Sequence, residues 1–126
     1  MSTRAAVHDQ ISEGRVLSEA ATRVATFWKL TNSELGRILG LSAPTASRLR
    51  SGAYALERGL KPFELAQYLV RLFRGLDALM GSDDEAAGRW LRTANVDLGG
   101  RPVELIQTLP GLIAVADYVD SFRARV

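Results

Sequence analysis

The sequence predicts an all-α fold on three observations. Apolar residues recur at three- and four-residue spacing through most of the chain. No stretch alternates apolar and polar residues as a half-buried strand does, and the adjacent glycines at 99 and 100 lack strand-like flanks. The breaks between periodic stretches carry helix caps, not hairpin turns.

The first periodic stretch starts at Val16 and lines Leu17, Ala20, Ala21, Val24, Phe27 and Trp28 along one face. The residues before it show no such pattern, so 1–14 is expected to be a loose N-terminal segment. Thr31 and Glu34 then stand as T-x-x-E ahead of Leu35, Ile38 and Leu39, a capping box in which each side chain satisfies an orphan amide of the other. Gly40 supplies a left-handed C-cap and Ser42 the next N-cap, with Pro44 in the first turn, where its missing N–H is harmless. That third helix runs to Arg50, and Ser51 and Gly52 stop it.

The segment SGAYALERG, residues 51–59, separates a compact unit of residues 15–60 from a C-terminal unit of residues 61–126. Pro62 opens the longest apolar stripe, from Phe63 to Met80. With Tyr68, Val70, Phe73 and Leu76 it covers nearly the whole helix circumference, which predicts dimerisation through this region. Gly81 closes it, and S-D-D-E at Ser82 to Glu85 reads as a second capping box with its acids at the positive end of the helix dipole. Trp90 shares a register with Ala86 and Ala87 and reads as core. RTANVDLGGRP, residues 92–102, has no helical period and is a loop; Pro102 starts a short helix through Leu109, and Pro110 starts the last, with Ile113, Ala116, Val119 and Phe122 on one face.

Composition narrows the function. With 126 residues, 47% of them apolar, the chain can bury a core without staples. It has no cysteine and one histidine, His8, which leaves no disulfide framework and no ligand set for a structural metal. No Ser-His-Asp set, P-loop or G-x-G-x-x-G after a strand is present, so neither an enzyme nor a cofactor is expected. No apolar run approaches the roughly 18 residues of a membrane span and no signal-peptide h-region opens the chain, so a cytoplasmic protein without membrane contact is expected. A formal charge of +2 requires any nucleic-acid surface to be local.

Such a surface is offered by TNSELGRILGLSAPTASRLRSG. The spacing from Glu34 to Leu49 fits a helix-turn-helix whose second helix turns Ala46 and Leu49 inward. Ser42, Thr45, Ser47, Arg48 and Arg50 then form the candidate DNA-binding set, hydroxyls for phosphates and arginines for phosphates or guanine edges. The same geometry also serves as a plain helical corner in an α bundle. Ala43 and Pro44 offer no base-edge hydrogen bonds, so one copy has few specific contacts and a dimer or larger assembly is expected to bind operator DNA.

Together with the string W-L-x-x-x-N-x-x-L-G-G-x-P-x-E-L from Trp90 to Leu105, this helix-turn-helix and its long leucine-rich helix make residues 15–126 resemble the Xre/MbcA/ParS antitoxins. The resemblance implies an N-terminal helix-turn-helix unit followed by a helical toxin-binding domain. It further implies a cognate RES-domain toxin that uses NAD, either degrading it or transferring ADP-ribose, whose active-site cleft is covered by the antitoxin's C-terminal region while the helix-turn-helix represses the shared operon. The implied toxin-binding residues are Asn95, Asp97, Leu98, Gly99, Gly100 and Arg101 in the loop and Arg123, Arg125 and Val126 in the tail. For the loop, simple chain reversal is the competing reading; for the arginines, it is a solvated helix end. The carboxylate of Val126 would sit where the dinucleotide's phosphates lie, and the arginines would pair with acidic groups at the rim. The alternative from another class is a free-standing dimeric helix-turn-helix transcription regulator.

Overall fold

In the computed structural model, which describes residues 3–124, the periodic stretches become α1 (Thr3–Phe27), α2 (Asn32–Leu39), α3 (Ala43–Ser51), α4 (Lys61–Leu79), α5 (Asp84–Arg92), α6 (Pro102–Leu105) and α7 (Leu109–Arg123). Among the described residues the only extended pairing is an isolated bridge between Asn95 and Gly100.

The helix α1 starts earlier than the apolar pattern indicated. Residues 3–14, read as a loose segment, are its opening turns. They carry no legible stripe because they pack on little: Val7 and Ile11 are exposed, and Gly14 is the first buried position. There the connector after α3 crosses α1 so closely that a Cβ on Gly14 would lie 2.2 Å from the carbonyl oxygen of Leu56. Ser18 fastens the crossing, its Oγ donating to Gly14 O at 2.6 Å and accepting from Leu56 N at 2.8 Å.

The centre of the molecule is α4, which packs against α1, α2 and α7. Phe63, Leu65, Ala66, Leu69, Val70, Leu72 and Leu76 are buried, and Tyr68 and Phe73 are half-buried. Its broad apolar circumference is therefore covered largely by its own chain, with Leu79 left exposed at its C-terminal end. Gly75 permits the tightest of these contacts, since a Cβ there would stand 2.9 Å from Val119 Cγ1 on α7.

The caps follow from local chemistry. The Thr31–Glu34 box forms reciprocally, with Glu34 N donating to Thr31 Oγ1 at 3.0 Å and Thr31 N to Glu34 Oε1 at 2.9 Å. Gly40 is left-handed at φ 72°. The second box is shifted: Gly81 and Ser82 both take positive φ, Ser82 Oγ donates to Asp77, and Asp83 is the N-cap of α5, accepting from Ala86 N at 3.1 Å. The shift follows from the turn, whose two successive left-handed residues leave Asp83 first in extended geometry. Likewise Thr108 caps α7 at 3.2 Å from Gly111 N, so the short helix stops at Leu105 and not at Leu109.

Glu34 has a second task. Arg92, the last residue of α5, reaches both its carboxylate oxygens at 3.3 Å and also donates to Lys29 O at 3.2 Å, tying the C-terminal helices to the start of α2. Partial burial pushes the Glu34 carboxyl up, but the Arg92 hydrogen bond, the Thr31 amide and the Arg92 charge outweigh it and hold it below the ordinary 4.5. A folded-state value below the unfolded one gives a contribution that is complete above pH 4.5 and is lost as pH falls through the folded value. Glu34→Gln is therefore expected to flatten the acid limb of stability while costing under about 1 kcal/mol at neutral pH. Thermal melts of both proteins from neutral to acid pH check this; parallel limbs would show that Glu34 carries none of the dependence.

Candidate functional site

The turn between α2 and α3 is tight because Gly36 lets it fold back. Leu41 N donates to Gly36 O at 2.7 Å, and a Cβ on Gly36 would fall 2.5 Å from Leu41 O. Ala46 and Leu49 of α3 are buried with Leu35, Ile38 and Leu39 of α2, which turns the opposite face of α3 to solvent. This is the corner of a helix-turn-helix with the second helix presented.

Ser42, Ser47 and Arg48 are exposed and Thr45 is half-buried. Ser42 Oγ caps α3 by accepting from Thr45 N at 3.2 Å and donates to Thr45 Oγ1 at 2.9 Å; Arg48 Nη2 donates to the same Thr45 oxygen at 2.9 Å. These three residues thus form one polar edge whose outermost group is a guanidinium. Arg50 is placed differently. Its Nη1 donates to Asn32 Oδ1 at 2.9 Å and its Nη2 to Leu30 O, so it pins the end of α3 to the turn between α1 and α2. The structure groups Ser42, Thr45 and Arg48 along one edge of α3, leaves Ser47 exposed and turns Arg50 inward.

The second site is the loop after α5. Asn95 closes it four times: its N–H donates to Gly100 O at 2.9 Å, its carbonyl accepts from Gly99 N at 2.9 Å and from Gly100 N at 3.3 Å, and its Oδ1 accepts from Leu98 N at 3.1 Å. Gly99 supplies the φ of 80° that the reversal needs, and Gly100 lies against Leu105, where a Cβ would come within 3.4 Å of the side chain. Leu98 packs on the core from beneath. Asp97 Oδ2 accepts from Tyr118 Oη on α7 at 3.0 Å. Arg101 pairs with Glu104 at the start of α6.

Tyr118 joins a row of aromatic rings. Trp90 is half-buried, not deep core, and stacks on Tyr118 at 6.5 Å, and Tyr118 meets Phe122 edge-on at 4.9 Å. Beside them a shallow cleft of about 240 Å³ is lined by Leu76, Leu79, Met80 and Val119. Ile113 is half-buried and Phe122 exposed, so the buried face of α7 is Leu112, Val115, Ala116 and Val119. Arg123 is exposed, with its stem over Gly75. Arg125 and Val126 lie outside the described residues.

Sequence reasoning passed over Val96, Tyr118 and Gly36. Gly36 sits inside a helix where only the return of the chain reveals its use, and an isolated valine in a loop has no period to betray it. Among the described residues no helix is long and apolar enough to cross a membrane.

The architecture is thus a helical protein that presents the second helix of a helix-turn-helix at one place and a closed, partly apolar loop at another. Residues 7–71 match the antitoxin Xre-like helix-turn-helix domain, and residues 75–125 match the antitoxin Xre/MbcA/ParS C-terminal toxin-binding domain. The chain belongs to the Xre/MbcA/ParS-type antitoxins, with a DNA-binding helix-turn-helix and a toxin-binding C-terminal domain. No curated protein matches it. The toxin-binding match weighs against a free-standing regulator whose second half only dimerises.

Proposed function

We propose that this antitoxin neutralises a RES-type, NAD-using toxin in the cytoplasm by laying its C-terminal region over the active-site cleft, and represses its own operon through α3. The observation that carries the reading is the division of labour along α7. Its buried face ends at Val119, and positions 121–124 are exposed, so Arg123 and Ala124 contribute little to the antitoxin's own core. Arg123, Arg125 and Val126 form the plug, and Asn95, Asp97, Leu98, Gly99, Gly100 and Arg101 the docking loop beside it. A dinucleotide cleft holds pyrophosphate between charged groups, and a basic tail would pair with acids at its rim. Within this division, residues 15–60 serve DNA and residues 61–126 serve the toxin.

Self-association belongs to the same proposal, because one α3 offers too few base contacts for nanomolar affinity. Exposed apolar side chains open to it include Val7 and Ile11, one turn apart on α1, and Leu79 at the end of α4.

The test is deletion of residues 123–126. The shortened antitoxin is expected to keep its melting temperature, its operator binding and most of its toxin affinity, but to lose rescue of growth, and NAD is expected to compete with the full-length protein for the toxin. Growth rescue equal to full length at matched protein levels would refute the plug and leave the loop as the inhibitory element.

A further inference from the structure

Val96 is 97% exposed, the most exposed large apolar residue among those described. A single exposed valine needs no explanation on most surfaces. What sets this one apart is its mounting. The four bonds that Asn95 makes to Leu98, Gly99 and Gly100 close the loop around it, and the neighbouring Asp97 is fastened to Tyr118, so the backbone on both sides is held. Val96 is therefore a stiff apolar knob on a fixed base. A β-branched side chain has little χ1 freedom to lose when it is captured, and a prearranged loop has little backbone entropy to lose.

The surroundings suit a protein partner. Asp97, next in the chain, accepts from Tyr118, which stacks on Trp90 and meets Phe122 edge-on, and aromatic residues near an apolar anchor are the usual composition of an interface centre. Within the antitoxin itself, Leu98 faces the core while Val96 faces water, so Val96 serves no packing role at home.

We infer that Val96 is the anchor by which this antitoxin docks its toxin, entering an apolar recess on the toxin surface that admits a β-branched side chain, and that this docking is separate from the inhibitory tail. The occupant is assigned to the toxin because the knob lies within residues 75–125, the stretch that matches a toxin-binding domain. The inference rests on that toxin-binding reading.

The experiment uses the full-length antitoxin coexpressed with the product of the neighbouring open reading frame, with affinity measured by calorimetry on the separated proteins. Val96→Ala removes two methyl-sized groups' worth of contact and is expected to weaken binding about tenfold, and Val96→Asp about a hundredfold or more. Val96→Ile is expected to bind within about threefold of wild type, because it keeps an apolar, β-branched knob. All three should keep the wild-type melting temperature and operator binding, since the side chain touches nothing in the free protein. Capture by wild type and by Val96→Asp with equal affinity would overturn the anchor while leaving the toxin-binding reading in place. Failure of wild type to bind the neighbouring product would overturn that reading and the anchor with it.

Discussion

Gly111→Ala is expected to lower stability by about 3 kcal/mol or more, a fall of roughly 10 °C in melting temperature for a chain of this size. Gly111 sits in the first turn of α7, where α6 and its exit turn fold back over it. A Cβ there would stand 1.8 Å from Leu105 O and 2.7 Å from Leu105 C, and both are backbone atoms that cannot swing aside. Leu105 O is already engaged, accepting from Thr108 N, and Thr108 Oγ1 caps Gly111 N at 3.2 Å. Relief would require α6 to lift, yet Ile106 and Leu112, on either side of the contact, are fully buried.

Helix propensity alone predicts the opposite sign, because alanine is favoured over glycine inside a helix by about 1 kcal/mol. Gly88→Ala isolates that effect. Gly88 lies within α5 and an added Cβ would meet nothing within 4 Å, so the same substitution there is expected to stabilise by about 0.5–1 kcal/mol. Urea or thermal unfolding of the two variants should give shifts of opposite sign. Equal shifts would mean that the turn after α6 is slack enough to yield, and that the close packing of Gly111 is not a constraint.

What could be read from the sequence was what depends on neighbours in the chain. The Thr31–Glu34 box, the Gly40 and Gly52 stops, the Ser42 cap and the inward Ala46 and Leu49 all rest on spacings of a few residues, and all appear as expected. The all-α class followed from the same local rules. What could not be read depends on how backbone outside the helix folds across it. Gly14, Gly36 and Gly111 look alike in the string, and only the return of Leu56, Leu41 and Leu105 over them separates them from Gly88. The opening turns of α1 were invisible because an exposed helix has no apolar stripe to betray it. The candidate loop was legible through its asparagine and glycines, whereas Val96, within it, escaped a reading that looks for apolar residues in periods.

Arg50 is the sharpest instance, since its partners Leu30 and Asn32 lie 20 and 18 positions back. Arg48 and Arg50 are therefore expected to separate cleanly when each is changed to alanine. Arg48 is exposed, and its bond to Thr45 Oγ1 is readily replaced by water, so Arg48→Ala should leave stability unchanged. Loss of one phosphate contact should weaken operator binding about tenfold and reduce the magnitude of the salt slope by about one unit. Arg50→Ala should do the reverse. It leaves Leu30 O and Asn32 Oδ1 without their donor at the point where α3 is fastened to the rest of the unit, which is expected to cost about 1–3 kcal/mol of stability. The salt slope of the protein that remains folded should be unchanged, because no phosphate contact is lost. Retardation of promoter DNA across a salt series, paired with thermal melts of each variant, reads both quantities. A flattened slope for Arg50→Ala, with none for Arg48→Ala, would mean that Arg50 leaves Leu30 and Asn32 on binding and that the reading surface of α3 is turned toward its inner edge.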